Sequence, residues 1–264
     1  MTATRRPQLA PERTMEDSKE LYLDLIKRCL MNQIYWDHEA NRAKLPLLRP
    51  DRSARLQGRD WPPFAHTMIG RKRLDNLQFC IEEVLKHDVP GDILEAGVWR
   101  GGASILARAV LKACGDERRL VWLADSFEGL PAPDAVKYPQ DAGIRLHKHK
   151  ELAVGLEQVK ANFESYGLLD GQVRFLKGWF RDTLPAAPVE RLAIARLDGD
   201  MYESTMESLT HLYPKLSVGG YLIADDYLAL DVCRQAVDDY RRAHGILEPV
   251  VQIDWTGVYW KRAR

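Results

Sequence analysis

The chain has 264 residues, which is enough for one sizeable catalytic domain with an appended N-terminal segment. Its 38 Lys and Arg residues balance its 38 Asp and Glu residues, and 45% of all residues are hydrophobic. This composition excludes both the basic surface of a nucleic-acid-binding protein and the low hydrophobicity of a disordered chain. We therefore expect the partner to be a small molecule.

The cysteines and the N-terminus indicate the compartment. The four cysteines are widely spaced and form no CxxC pair, which argues against a zinc site and against a disulfide framework. We expect buried, reduced thiols at Cys29, Cys80, Cys114 and Cys233. The N-terminus lacks the apolar stretch of a signal peptide, and no segment approaches the roughly 18 apolar residues that span a bilayer. We expect a cytoplasmic protein with no membrane contact.

The N-terminal part of the chain is predicted to be a tail followed by a helix. Residues 1–17 are rich in Pro, Thr, Arg and Glu and poor in apolar side chains, so we predict a mobile tail. Order is expected to begin near Ser18, where LYLDLIKRCLMNQIYW spaces four residues near the period of a helix. These residues are Leu21, Leu25, Cys29 and Trp36. Prolines then interrupt the chain, which predicts irregular structure.

A second helix is predicted in the segment RKRLDNLQFCIEEVLKH, which begins at Arg71. Its apolar residues recur every three or four positions and would form one face of an amphipathic helix. These residues are Leu74, Leu77, Cys80, Ile81 and Val84. The helix leads into the core domain, which we expect to begin at Gly91 and to extend to the end of the chain.

From Gly91 onwards, short apolar runs alternate with helical stretches. The runs, each predicted to be a strand, are DILEAGV, LVWLADS, QVRFLKG, LAIARLD and GYLIADD. The helical stretches are ASILARAVLKA, LAVGLEQVKANFESY, STMESLTHLYPKL and VCRQAVDDYRRA. Regular alternation of strand and helix predicts an α/β fold, with a mostly parallel sheet covered by helices on both faces.

Residues that follow the first two predicted strands indicate a ligand that contains a nucleoside. The segment EAGVWRGG begins at Glu95 and leads into a helix. Its glycines would let a ligand approach the unpaired amides at the helix N-terminus. Packing explains such a glycine-rich turn equally well. Asp125 ends the second strand, where an acid accepts hydrogen bonds from a ribose diol. Glu95 and the lack of a strict GxGxxG favour adenosylmethionine over a dinucleotide, because a carboxylate would repel a pyrophosphate. Phe127 and Trp179 are candidates to stack on adenine, but aromatic residues near strand ends more often belong to the core.

Acidic residues also end the fourth and fifth predicted strands. Asp198 and Asp200 follow one strand, and Asp225 and Asp226 follow the next. Because the carboxyl ends of parallel strands meet at one edge of a sheet, these acids would repel one another unless a cation or protons intervened. Hard oxygen ligands without Cys or His suggest magnesium, manganese or calcium. The alternative is that these acids cap a helix and form a turn, but the convergence of two strands favours a metal site.

These segments, taken together, resemble the macrocin O-methyltransferase family, bacterial enzymes that methylate sugar hydroxyls on macrolides, aminocoumarins and related antibiotics. The resemblance runs from about Thr67 to Trp260. It is carried by HTMIG, ILEAGVWRGGASI, VWLADSFEGLP, LAVGLEQVKANF, FLKGWFRDTLP, LDGDMYESTMESLTHLYPKLSVGGY, ADDY and VQIDWTGVYW. It implies a Rossmann-like methyltransferase domain over residues 91–264, with an N-terminal helical extension and lid over residues 18–90.

The resemblance also implies cofactors and roles for individual residues. S-adenosylmethionine would be the methyl donor and Mg²⁺ the metal. Thr67 and Met68 would close over the donor. Its methionine end would be held by Glu95, Gly97 and Ser104. Its ribose would be held by Asp125 and Ser126. The magnesium ligands would be Asp198, Asp225 and Asp226, and Asp198 would also be the general base.

The segment of residues 134–150 lies where members of this family have a loop over the acceptor. His147 and His149 would either touch the substrate or act as alternative bases, or they would belong to a solvated basic loop. The sequence leaves this choice open.

The predicted function is magnesium-assisted transfer of a methyl group to a sugar hydroxyl of a glycosylated secondary metabolite, as a tailoring step of antibiotic biosynthesis. A catechol-type O-methyltransferase stays open, because it applies the same metal chemistry to aromatic vicinal hydroxyls. An adenosylmethionine-binding protein without turnover is a further alternative, and a nicotinamide dehydrogenase is disfavoured by the imperfect glycine pattern. The sugar, its methylated position and the oligomeric state are left open, with a homo-oligomer as one alternative.

Overall fold

The computed structural model of the chain describes residues 15–36 and 51–264. Its centre is a seven-stranded sheet with the strand order β3-β2-β1-β4-β5-β7-β6. The strands are β1 (Asp92–Ala96), β2 (Val121–Asp125), β3 (Val173–Lys177), β4 (Leu192–Leu197), β5 (Leu216–Ala224), β6 (Val251–Gln252) and β7 (Val258–Lys261). Strands β1 to β5 are parallel, and β7 pairs antiparallel with β5 and with β6. The predicted α/β fold with a mostly parallel sheet is thereby confirmed.

Helices cover both faces of this sheet. They are α1 (Met15–Leu30), α2 (Arg52–Gln57), α3 (Arg71–Lys86), α4 (Gly102–Ala113), α5 (Leu156–Ser165), α6 (Phe180–Thr183), α7 (Tyr202–Leu212) and α8 (Asp231–Ala243). Successive residues of β1 alternate between the faces: Ile93 packs with α1, α3, α4 and α5, and Leu94 packs with α7 and α8. Within the described ranges, no helix is long and apolar enough to cross a membrane.

Helix α1 differs from its prediction in its start and in its buried face. It begins at Met15, three residues before the predicted start of order, and residues 1–14 of the predicted tail lie outside the described residues, as do residues 37–50 of the predicted extension and lid. Its buried apolar side chains are Leu23, Ile26 and Leu30. Leu21 and Leu25 are 57% and 50% exposed. The sequence of this helix contains two possible apolar faces. Tertiary packing buries the face whose residues are spaced by three and four positions, not the one spaced by four positions throughout.

Helix α3 buries the face that its sequence predicts. Its five apolar residues are each at most 2% exposed and pack between α4 and the sheet. The cysteines are free thiols, and Cys80 and Cys233 are buried as expected. Cys29 is partly buried, and Cys114 is exposed because it lies at the C-cap of α4. The expectation of a buried thiol was therefore wrong for Cys114.

The hairpin of β6 and β7 was not predicted as a pair of strands. β6 has two residues, both exposed, and β7 has four, so neither is long enough to show a period of two in the sequence. Trp260 on β7 is nevertheless fully buried against the α7 and α8 layer. The hairpin extends the sheet beyond β5 and brings residue 254, in the turn between β6 and β7, back towards the N-terminal helices.

The carboxyl ends of β1 and β4 come together at Gly97. This residue has φ +90°, and a Cβ atom there would overlap the carbonyl oxygen of Asp198. The amide of Asp198 in turn donates a hydrogen bond to the carbonyl of Ala96 at 2.8 Å. Glycine at position 97 therefore allows the backbone contact that fixes where Asp198 leaves the sheet.

The substitution Gly97→Ala should lower the free energy of unfolding by about 3 kcal/mol, because a left-handed backbone and a steric overlap are both penalised. Gly115→Ala is the matched control: Gly115 has φ +71°, but a Cβ there would meet no atom within 4 Å. Its loss should be about 1 kcal/mol. Urea unfolding followed by circular dichroism measures both, and equal losses would show that the contact with Asp198 is unimportant.

Candidate functional site

A cleft opens at the carboxyl edge of the parallel strands. It adjoins a smaller cavity, and Met68 and Asp198 lie in the walls of both. The predicted residues that line the cleft are Met68, Gly97, Asp125, Ser126, Trp179 and Asp198. Those that line the smaller cavity are Thr67, Met68, Glu95 and Asp198. The fold thus brings most of the predicted cofactor residues to two connected spaces.

Glu95 is buried at the end of β1, in the wall of the smaller cavity. The hydroxyl of Ser104 donates to one of its oxygens, and Nη1 of Arg196 donates to the other at 2.6 Å. Burial raises the pKa of Glu95 to about 7, and the neighbouring Arg196 and Ser104 oppose this rise. Ser104 and Glu95 are therefore paired as part of one polar wall, in which Arg196 is a member that sequence reasoning missed.

Thr67 and Met68 belong to a segment that crosses the N-terminus of α4. A Cβ atom on Gly102 would overlap the carbonyl oxygen of His66, so this crossing depends on glycine at the first position of the helix. Thr67 is buried, and its hydroxyl oxygen accepts a hydrogen bond from the amide of Ile69 at 3.2 Å. The segment forms part of the wall of the smaller cavity.

Asp125 connects the loops that follow β1 and β2. Its two oxygens accept hydrogen bonds from the amides of Val98 and Phe127, each at 2.7 Å. Burial raises its pKa, and these amide hydrogen bonds oppose the rise. The next residue, Ser126, donates its hydroxyl to the carbonyl of Gly129 at 2.7 Å. Asp125 thus organises the rim of the cleft, whose wall it lines.

The two aromatic candidates occupy different places. Trp179 lines the cleft at the N-terminus of α6. Phe127 has φ +57°, and its buried ring packs edge-to-face against Phe175 with a centroid distance of 6.3 Å. Contact between this ring and adenine would require the ring to leave the core. The position of Phe127 favours the packing alternative for that residue.

Four carboxylates meet beside the cleft. Oxygens of Asp198, Asp225 and Asp226 lie within 4.8 Å of one another. Burial and the neighbouring carboxylates raise the pKa of Asp198 and Asp226, and they raise that of Asp200 to about 8. Oδ2 of Asp226 is buried and has no hydrogen-bond partner among the residues that the structure describes. An orphaned carboxylate oxygen among converging acids is a donor set that fits a hard divalent cation.

Two buried arginines hold Asp225 from opposite sides. Nη2 of Arg196 donates to one carboxylate oxygen, and Nη1 of Arg73 donates to the other. Arg196 also donates to Oδ2 of Asp198 at 2.8 Å. Sequence reasoning identified neither arginine in this role. The signal for Arg196 was present, because a charged residue interrupts the otherwise apolar and fully buried strand β4.

The segment of residues 126–155 forms a wall of the cleft with Leu130, Pro131 and Leu152. Asp141, which is completely buried, anchors this segment. Its oxygens accept hydrogen bonds from the amides of Tyr202 at 2.8 Å and Glu203 at 2.9 Å, at the start of α7. A carboxylate at this position pairs with the free amides and the dipole of the helix N-terminus. Sequence reasoning also missed this residue.

The two histidines of this segment differ in their surroundings. His147 is in a short 3₁₀ turn, Leu146–Lys148. His149 is partly exposed and contacts Trp61 edge-to-face with a centroid distance of 5.1 Å. Within the described part of the chain, neither histidine lines the cleft or the smaller cavity. For His149 this placement favours the alternative of a solvated loop over that of a base, whereas Nδ1 of His147 is buried and has no hydrogen-bond partner among the described residues.

Comparison with known proteins adds independent information. The sequence profile of the family described as macrocin-O-methyltransferase (TylF) matches residues 19–262. The chain is 59% identical over 247 residues to 8-demethyl-8-(2,3-dimethoxy-alpha-L-rhamnosyl)-tetracenomycin-C 4'-O-methyltransferase of Streptomyces olivaceus. This match covers 93% of this chain and 94% of that protein. It is 53% identical over 247 residues to mycinamicin III 3''-O-methyltransferase of Micromonospora griseorubida, with coverage of 92% and 97%. The solved structure of the O-methyltransferase NovP is similar with a TM-score of 0.88 and 49% identity, over 93% of this chain and 100% of that one.

The substitution Asp141→Ala should loosen the wall of the cleft, because α7 loses a cap worth about 1 kcal/mol and the segment loses its anchor. Hydrogen exchange followed by mass spectrometry should show faster exchange across residues 126–155. Asp134→Ala is the control, since the Asp134 carboxylate accepts hydrogen bonds only from nearby amides, at 3.1 and 3.2 Å, in an exposed turn of the same segment. Unchanged exchange in the Asp141 variant would contradict the anchoring role.

Proposed function

The chain belongs to the macrocin O-methyltransferase family, and from this membership we propose that it methylates a sugar hydroxyl of a glycosylated secondary metabolite, with S-adenosylmethionine as donor and Mg²⁺ as metal. Members of the family are O-methyltransferase enzymes. The observation that carries the proposal is the convergence of Asp198, Asp225 and Asp226 beside a cleft that also reaches Asp125. Because Asp125 and Asp198 line the same cleft, this convergence supports a cation site close to the proposed ribose acceptor.

We assign the donor to the path from the smaller cavity into the cleft. Glu95 and Thr67 bind the methionine end, and Asp125 accepts hydrogen bonds from the ribose. Trp179 lies against the base. Support for this assignment comes from Met68 and Asp198, which lie in the walls of both spaces.

Asp198 is the residue to which we assign the proton transfer. Arg196 already occupies its Oδ2, which leaves Oδ1 to receive the proton of the acceptor hydroxyl. When bound among the acids, Mg²⁺ supplies Lewis acidity, which lowers the pKa of a hydroxyl and fixes its direction. The acceptor oxygen forms a bond to the methyl carbon as the bond from carbon to sulfur breaks, and its proton passes to Asp198.

The wall formed by residues 126–155 has a further role in this reaction. Its apolar side chains Leu130, Pro131 and Leu152 face the cleft, where they exclude water. Methyl transfer from a sulfonium to an oxygen atom disperses charge in the transition state, and a dry environment favours such a change. Docking of this segment through Asp141 therefore keeps the reacting atoms away from solvent.

A glycosylated acceptor is favoured over a catechol by the names of the relatives. One relative acts at a 4' position of a rhamnosyl compound, and another at a 3'' position of mycinamicin III. Both names describe compounds of antibiotic biosynthesis. A panel of glycosylated natural products and catechols, monitored by mass spectrometry for the mass of an added methyl group, distinguishes the two acceptor classes. Methylation of catechols alone would refute the sugar assignment.

Removal of divalent metal should abolish methyl transfer, and Mg²⁺ should restore it. Asp226→Asn preserves the size of the side chain but removes a negative charge, so it should raise the Mg²⁺ concentration needed for half-maximal rate. Asp198→Asn should lose almost all activity even at saturating Mg²⁺, since it removes a ligand and the proton acceptor. His149→Ala is the control, and its rate should stay close to that of the unchanged enzyme. Full activity in EDTA would refute a catalytic metal.

Asp125→Ala should weaken adenosylmethionine binding by about 10- to 100-fold, because a hydrogen bond to a charged acceptor is worth about 1.5–3 kcal/mol. It should also lower thermal stability, since the amides of Val98 and Phe127 lose their acceptor. Asp92→Ala is the matched control: Asp92 accepts hydrogen bonds from Leu120 at 2.9 Å and Trp122 at 2.8 Å, at the opposite end of the same two strands. It should lower stability without changing affinity. Calorimetric titration measures the affinity of both variants for adenosylmethionine. An Asp125→Ala affinity equal to that of the unchanged chain would remove Asp125 from the donor site.

A further inference from the structure

Arg73 links the candidate metal site to parts of the chain far from it. It lies in the first turn of α3, 152 positions before Asp225 in the sequence. Nη1 donates to Oδ2 of Asp225, Nε donates to Oδ2 of Asp254 at 3.0 Å, and Nη2 donates to the carbonyl of Gly58 at 3.3 Å. One guanidinium group therefore contacts an acid at the end of β5, the β6–β7 turn and the segment after α2.

The surroundings of Arg73 hold its side chain in one place. A Cβ atom on Gly58 would lie 2.5 Å from Nη2 of Arg73, and one on Gly257 would lie 3.1 Å from its Cδ. The other oxygen of Asp254 accepts hydrogen bonds from the amides of Thr256 at 2.9 Å and Gly257 at 2.8 Å. Arg73 thus passes between two glycines to an aspartate that is itself fixed by backbone amides.

Asp225 is held by more than this one contact. Arg196 occupies its other oxygen from β4, and the hydroxyl of Thr256 donates to its backbone carbonyl at 2.8 Å. Arg196 also contacts Glu95 and Asp198, so its removal would disturb several functions at once. Within the described part of the chain, Arg73 donates a hydrogen bond to Asp225 but to neither of the other two candidate metal ligands. It is therefore the residue whose effect on this ligand can be measured separately.

We propose that Arg73 is a positioning residue of the metal site, which sets cation affinity by fixing the direction of the Asp225 carboxylate. This inference rests on the proposed function, because it takes Asp225 to be a metal ligand. Hydrogen bonds to a ligating carboxylate orient it, and the loss of such a partner weakens metal binding by about 10- to 100-fold. The planar fork of arginine contacts all three of its partners at once, whereas lysine has a single charged nitrogen.

The test is Mn²⁺ binding by the full-length protein in the absence of donor and acceptor, measured from the electron paramagnetic resonance signal of the free ion. The unchanged chain should bind Mn²⁺, and Arg73→Lys should bind it about 10- to 100-fold more weakly. Adenosylmethionine affinity should be the same in both proteins. In methyl-transfer assays, the variant should need more Mg²⁺ for half-maximal rate but recover its kcat at saturation.

A second variant, Asp254→Asn, removes the charge that holds Nε of Arg73 and leaves Asp225 intact. It should weaken Mn²⁺ binding in the same direction and by less, and it decides the question if Arg73→Lys does not fold. Arg108→Lys is the matched control, because Arg108 is equally buried and pairs with both oxygens of Asp170, at 2.7 to 3.1 Å, outside the two spaces of the site. Its Mn²⁺ affinity should equal that of the unchanged chain.

The possible results distinguish the positioning role of Arg73 from the metal site itself. Unaltered Mn²⁺ affinity in both Arg73→Lys and Asp254→Asn would overturn the positioning role and leave the proposed function standing. An equal loss in Arg108→Lys would also overturn it, since the effect would then follow from general destabilisation. Absence of Mn²⁺ binding by the unchanged chain would overturn the metal site itself, and the inference with it.

Discussion

Burial of several carboxylates at one edge of a sheet is the constraint to which the rest of the structure conforms. A buried charge is tolerated when it is paired and hydrogen-bonded, and removal of its partner is costly. Arg196 supplies much of that pairing, because its guanidinium group contacts Glu95, Asp198 and Asp225 at the ends of three adjacent strands. Two arginines do not neutralise the whole group. The remaining negative charge is the reason that we propose a cation site at this edge.

The same constraint explains why the N-terminal helices belong to the site. Arg73 reaches Asp225 from α3, and Thr67 lines the smaller cavity from the segment just before that helix. Helices α1, α3 and α4 also pack in one apolar layer with the sheet. The boundary proposed at residue 90 therefore separates two stretches of sequence that share a core and a site.

Sequence reasoning succeeded where a signal was local. An apolar run that ends in an acid specifies both a strand and the edge at which its acid lies, and this was enough to place Asp125 and Asp198 at one cleft and Asp198 beside Asp225 and Asp226. It failed where a role depends on a distant partner. The contact of Arg73 with Asp225 spans 152 positions, and that of Asp141 with Tyr202 spans 61, so no pattern within one segment contains either. The orientation of the Phe127 ring could not be predicted for a similar reason, because its partner Phe175 lies on β3.

The attachment of the cleft wall through Asp141 has a consequence for how acceptor preference can change. The anchor is one buried carboxylate on the backbone amides of α7, whereas the side chains that face the cleft come from other positions of the same segment. A hydrogen bond to backbone amides does not depend on which side chains surround it. The side chains of this segment that face the cleft can therefore be substituted, with the aspartate near its midpoint retained, without a change at Asp198, Asp225 or Asp226. Engineering of acceptor preference would begin with substitutions at these positions.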